Sequence, residues 1–205
     1  MKNTTFIPLA AALLTGCTTD EDADGHDAEV DCNDADAAVY PGATETIGDG
    51  VDSDCDGEDP PYPFVGDWTL KTVTMQWPDE DYDVLEYFDK SGDLSINTDL
   101  SATTEIVADD IYYDADRNLT LSFAYSGTVT PGSDPSAFEL KATGSLTSAY
   151  KYEGVEESYT LDGDADLDCA VEGTNVDCTG SVGWTDSYGD AYLLDVVASF
   201  EAKAD

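Results

Sequence analysis

Residues 20–59 read DEDADGHDAEVDCNDADAAVYPGATETIGDGVDSDCDGED, a stretch that opens and closes on one phrase. Asp20-x-Asp22-x-Asp24-Gly25-x-Asp27 returns 32 positions later as Asp52-x-Asp54-x-Asp56-Gly57-x-Asp59. Residues 18–60 hold 16 acidic residues and no Lys or Arg, with only Val30, Val39, Tyr40, Ile47 and Val51 as sizeable apolar side chains. So little apolar surface cannot offset the entropy of ordering the segment. Carboxylates brought to about 4 Å of one another repel by roughly 4 kcal/mol at an effective dielectric near 20. The segment is therefore either disordered or folded around cations. The spacing favours cations: carboxylates at alternate positions converge on one hard ion, and the Gly that follows permits a sharp turn.

Asp20, Asp22 and Asp24 take positions one, three and five of a twelve-residue calcium loop, and Asp31 takes position twelve. His26 falls at the seventh position, which donates a backbone carbonyl, so its side chain has no required role. Asp52, Asp54 and Asp56 begin a second loop that Pro60-Pro61 cuts short of twelve. Asp34, Asp36, Glu45 and Asp49 are then the candidates to complete it. Carboxylates, Asn33 and backbone carbonyls are hard donors, so Ca²⁺ is the expected ion, with Mg²⁺ of the same class. His26 is the only His in the chain, which disfavours zinc. A copper site centred on His26 is the competing reading.

The rest of the chain is also acidic. Residues 61–205 carry 30 acids and 6 bases, and the 205-residue chain has a formal net charge of -39. A surface of that sign repels phosphate, which excludes nucleic acid as a partner. It fits a solubilising surface suited to high salt.

The N-terminus reads as an export signal. Met1–Thr5 carries one Lys, and Phe6 to Leu14 is an apolar run too short to span a bilayer. Leu14-Thr15-Gly16-Cys17 resembles the lipobox of bacterial lipoproteins. The resemblance implies a signal peptide over residues 1–16, cleavage before Cys17, and a lipid on the Cys17 thiol that anchors the chain to a membrane. Thr18 rather than Asp after that Cys implies the outer membrane. With Cys17 assigned to lipid, Cys32, Cys55, Cys169 and Cys178 remain, an even four suited to an oxidising compartment. They fall two and two about Pro60-Pro61-Tyr62-Pro63, so pairing within each part is the economical assignment.

Asp31-Cys32-Asn33-Asp34-Ala35-Asp36, Tyr40-Pro41-Gly42-Ala43-Thr44-Glu45 and Asp49-Gly50-Val51-Asp52-Ser53-Asp54-Cys55-Asp56-Gly57 together resemble the MopE-type metal-binding repeat of bacterial surface and secreted proteins. Some members carry a further Cys where this chain has Gly48, which leaves Cys32 to pair with Cys55. That bridge is worth about 3 kcal/mol by loop entropy. The module over residues 17–60 is expected to fold only with calcium and the bridge intact.

From residue 61 onward apolar residues alternate with polar ones between closely spaced turns, which predicts an antiparallel all-β domain over 61–205. Candidate strands are Val65–Trp77, Val84–Phe88, Gly92–Asn97, Thr103–Tyr113, Leu119–Thr130 and Ala137–Ser148, then Glu157–Asp162, Asp164–Glu172, Asn175–Trp184 and Ala191–Ala202. Leu119, Leu121, Phe123 and Tyr125 share one strand face, and Leu194, Val196, Ala198 and Phe200 another. A two-residue Gly173-Thr174 turn of type II′ pairs Val171 with Val176 and Cys169 with Cys178. Alternation of ladder sites makes 169/178 an open pair, with Cα atoms about 4.5 Å apart and within disulfide reach. The resulting staple is worth about 2.7 kcal/mol.

Gly66 and Trp68 are similar to the G-x-W opening of lipocalin-like barrels, which implies an up-and-down barrel of eight to ten strands around a ligand cavity. A two-sheet sandwich is the alternative. No His lies in this domain, so nucleophilic triads are excluded, and a pair among 30 acids is no signal of glycoside hydrolysis. Tyr112, Tyr113, Tyr150, Tyr152, Trp184, Tyr188 and Tyr192 are core formers or platforms for sugar or lipid. The expectation is a non-enzymatic, lipid-anchored envelope protein. Its barrel either binds an apolar small molecule or, with a packed interior, serves as a structural or adhesive module.

Overall fold

The computed structural model describes residues 19–78, 83, 85, 88–110, 117–152 and 154–203. Residues 1–16, the expected signal peptide, and Cys17, the expected lipid site, lie outside the described residues. So do most of the candidate strand Val84–Phe88, Tyr112 and Tyr113, and the side chains of Tyr150 and Tyr152. The chain divides into two compact units between Pro60 and Pro61. No described residue of either unit is helical.

The second unit is a closed barrel of eight antiparallel strands in sequence order. These are β1 Gly66–Gln76, β2 Phe88–Ile96, β3 Ser101–Asp110, β4 Arg117–Pro131, β5 Ala137–Tyr152, β6 Val155–Glu172, β7 Asn175–Thr185 and β8 Ala191–Ala202. Each strand pairs with the next, and β1 closes on β8. The architecture is the up-and-down barrel rather than the sandwich, and its shortest seam is the four-pair ladder between β1 and β2. Gly173 turns at φ 67°, Cys169 faces Cys178 and Val171 faces Val176, the register expected from the hairpin. The two cysteines are bonded with their Cα atoms 4.1 Å apart.

Two candidate strands prove to be one. Glu157–Asp162 and Asp164–Glu172 lie within the single β6, because Gly163 continues the ladder, opposite Gly144 on one side and Trp184 on the other. A side chain at Gly163 would meet the Gly183 carbonyl oxygen at 2.5 Å and the Tyr125 hydroxyl at 2.8 Å. Gly163 is there to clear space for Tyr125, not to turn the chain.

β1 pairs on both sides only at Trp68 and Thr69. It pairs with β2 over Gly66–Thr69 and with β8 through Gln76, with a bulge between Leu70 and Thr72. The extra residue switches which side chains face inward: Trp68 precedes the bulge, Val73 and Met75 follow it, and all three are buried. The Trp68 indole N–H donates to the Phe64 carbonyl at 3.0 Å, and Phe64 packs on Phe138 with ring centroids 4.4 Å apart. Trp77, Trp184 and Tyr192 form a separate aromatic group, in which Trp184 and Tyr192 stack at 5.7 Å.

Among the described residues, side chains pack the interior. Phe123, Leu140, Leu194, Val196, Ala198 and Phe200 are all buried in one core cluster. The apolar cavity that Met75, Leu94, Phe123, Val196 and Phe200 help to line measures about 30 Å³. That is room for a few waters, far short of the roughly 300–1,000 Å³ of a small-molecule pocket.

Candidate metal centre

Local hydrogen bonding shapes the acidic unit, since almost nothing in it is apolar enough to pack. Val39 and Ser53 are the buried ones among its described residues. The two sequence repeats fold alike. In the first, both carboxylate oxygens of Asp20 accept backbone N–H groups, from Ala23 at 2.6 Å and Gly25 at 3.1 Å. In the second, those of Asp52 accept from Asp56 at 3.1 Å and Gly57 at 2.9 Å. The fourth residue of each loop, Ala23 or Cys55, is left-handed, with φ 67° and 60°. The sixth is Gly25 or Gly57, at φ 105° and 94°. Glycine is the residue that adopts such a φ without steric cost, so the sharp turn expected from the sequence is present in both loops.

Carboxylates of the first loop converge. Asp22, Asp24 and Asp31 each bring an oxygen within 4.8 Å of the other two, and so do Asp20, Asp22 and Asp34. Asp22 belongs to both groups. One oxygen of each of Asp22, Asp24 and Asp31 is buried with no hydrogen-bond partner. Their other oxygens accept N–H donors from Asp24 at 3.1 Å, His26 at 2.8 Å and Asn33 at 2.8 Å. Desolvation raises the Asp22 carboxyl above the ordinary value of 3.8; the Asp24 N–H opposes it, and the charges of Asp24, Asp31 and Asp20 add to it. Buried acceptors without a donor, on three carboxylates that converge, are unfavourable unless a cation sits among them.

The second loop is completed differently. Glu45 reaches in from the middle of the module and meets Asp52 and Asp54; with Asp49 and Asp59 it forms a further group. Its Oε2 also accepts N–H donors from Ser53 at 2.9 Å and Asp54 at 3.2 Å. Asp59 accepts from Gly48 at 3.0 Å and Gly50 at 2.7 Å. Asp34, expected in this loop, instead joins the first, where it also receives the Glu21 N–H at 3.0 Å. Asp36 and Asp56 belong to no such group among the described residues. Asp36 accepts the Ala38 N–H at 3.2 Å and Asp56 the Glu58 N–H at 2.9 Å. Asp56 lacks the company that Asp24 has because Pro60 ends the loop before a twelfth-position carboxylate. Asp59 was not among the candidate ligands, although it is the last acid of the repeated phrase.

Cys32 and Cys55 are joined with Cα atoms 5.7 Å apart, so their sulfurs offer no thiolate to a soft metal. His26 belongs to no metal-capable group among the described residues and stacks on Tyr40 at 5.1 Å. The donors that converge are carboxylate oxygens, a hard set.

Residues 31–60 match a family model, Cu-binding MopE, described as a "Putative metal-binding motif". The match spans the second loop and the last ligand of the first, and leaves Asp20, Asp22 and Asp24 outside it. No curated protein and no solved structure matches the chain at a significant level.

Proposed function

We propose that this is an exported, lipid-anchored protein of the cell envelope whose acidic module binds calcium and displays a packed β-barrel. The observation that carries the metal reading is the set of buried, unpartnered oxygens of Asp22, Asp24 and Asp31. In the bound module these would be ligands of the first loop with Asp20 and Asp34, and Glu45, Asp52 and Asp54 would serve the second. A hard divalent ion supplies the positive charge that offsets carboxylate repulsion over residues 18–60, which hold no Lys or Arg. Calcium suits these all-oxygen donors better than copper, which favours nitrogen and sulfur ligands.

Support for export is the Leu14-Thr15-Gly16-Cys17 sequence and the four disulfide-forming cysteines, and Thr18 supports the outer membrane. The filled interior favours a structural or adhesive barrel over a carrier of an apolar small molecule. The absence of His from residues 61–205 supports a non-catalytic role. The experiment is native mass spectrometry of the metal-stripped full chain offered equimolar Ca²⁺ and Cu²⁺. The expected result is calcium adducts at ion concentrations where copper adducts are minor; copper adducts alone would overturn the assignment.

A further inference from the structure

The Cys32–Cys55 bridge does not lie beside the metal ligands by accident of composition; it ties one loop to the other. Cys32 follows Asp31, the final ligand of the first loop. Cys55 is the left-handed fourth residue of the second, between Asp54 and Asp56. The Asp31 carboxylate approaches both sulfurs within 4.8 Å, and the Cys32 N–H lies 3.2 Å from Cys55 Sγ. The Cys32 side is exposed. Around the bridge, Tyr40 N–H donates to the Ser53 carbonyl and Gly42 N–H to the Asp54 carbonyl, each at 3.0 Å, so the second loop is braced on the chain that follows the first. Among the described residues, no second covalent link holds the loops together.

We infer that the redox state of Cys32–Cys55 sets the ion affinity of the module, and that a bound ion in turn protects the bridge from dithiol reductants. The inference rests on the calcium reading above. Reduction proceeds by attack of a dithiol's thiolate on the exposed Cys32 Sγ. The S–S bond breaks, Cys55 leaves as a thiolate and takes a proton, and the second thiol of the reagent displaces Cys32. Two electrons pass to the chain, and the reagent leaves as a cyclic disulfide. The opened module must then gather both sets of repelling carboxylates without a covalent link, so its ion affinity falls. Linkage makes the coupling reciprocal: whatever factor reduction takes from ion binding, the ion returns to the disulfide equilibrium. Cys169–Cys178 lies in the barrel hairpin, both sulfurs buried, and serves as the internal control.

The full chain is equilibrated in graded mixtures of reduced and oxidised dithiothreitol, with calcium or with chelator at matched ionic strength. Free thiols are then alkylated and mapped by peptide mass. Calcium is expected to raise the reduced-to-oxidised ratio needed for half-reduction of Cys32–Cys55 by about ten-fold or more, within the usual range of coupling between sites, and to leave Cys169–Cys178 unchanged. An equal shift at both bridges, or none at Cys32–Cys55, overturns the inference. Native mass spectrometry of the same samples separates the two ideas. Equal calcium loading of oxidised and reduced chains sinks the redox coupling alone, while no loading of the oxidised chain sinks the calcium reading with it.

Discussion

Asp22→Asn is expected to weaken calcium binding at the first loop by about 100-fold or more, since even the loss of a contact that merely supports a ligand costs 10–100-fold. Asp22 is the carboxylate common to both groups of that loop, so its loss breaks both at once. The same change acts in the opposite direction on the metal-free chain. The Asp22 carboxyl is raised by desolvation and by neighbouring acids. A raised carboxyl contributes stability below its unfolded value, and that contribution is lost as pH rises through the folded value. At neutral pH the ionised side chain therefore works against the empty loop, and a neutral amide relieves it. Glu45→Gln is the matching variant for the second loop, where Glu45 is common to two groups. The expected pattern is one weakened site per variant. A variant that leaves both affinities intact would remove its residue from the ligand set.

Gly144→Ala is expected to cost the barrel roughly 3 kcal/mol, the upper end of overpacking penalties. A Cβ there would fall 2.0 Å from the Ala124 carbonyl oxygen and 2.7 Å from the Tyr125 Cα. Both are backbone atoms of β4, so no rotamer change relieves the contact and the ladder itself must shift. The fall in thermal midpoint is then about 10 °C for a unit of this size. Ala at Gly154, where a Cβ meets nothing within 4 Å but φ is 82°, tests a different cost, that of left-handed backbone alone. Thermal melts followed by circular dichroism measure both. A Gly144→Ala protein as stable as the parent would contradict the observed strand spacing.

How much of this was legible in the sequence depended on whether a feature was local. The Cys169–Cys178 hairpin was readable because a two-residue Gly-first turn sets the register of everything behind it. β8 was readable at its observed bounds because Leu194, Val196, Ala198 and Phe200 recur at every second position and are all buried. Gly163 was misread as a break because what it accommodates, the Tyr125 hydroxyl, comes from a strand far away in sequence. The bulge after Leu70 is equally silent: it lies in the ladder that β1 makes with β8, the strand farthest from it in sequence. The interior cavity follows from how large side chains from all strands meet, and G-x-W carries no information on that.

The same division holds in the acidic module. Both loops were visible as alternating Asp before Gly, and their turns form where the pattern puts them. The allocation of the middle carboxylates was not visible. Asp34 and Glu45 are both reached across the module, and which loop each serves depends on the path of residues 33–45 and not on spacing. Asp36 and Asp56 satisfy the alternation yet, among the described residues, have no second and third carboxylate brought close to them.

We propose above that the acidic unit is a two-loop calcium module. Its most direct test is isothermal calorimetry of chelator-treated full chain titrated with calcium chloride. The expected result is a saturating heat at two ions per chain, reduced to one by Asp22→Asn or Glu45→Gln and absent in the double variant. A chain that gives no heat beyond dilution, with its disulfides intact, would contradict it.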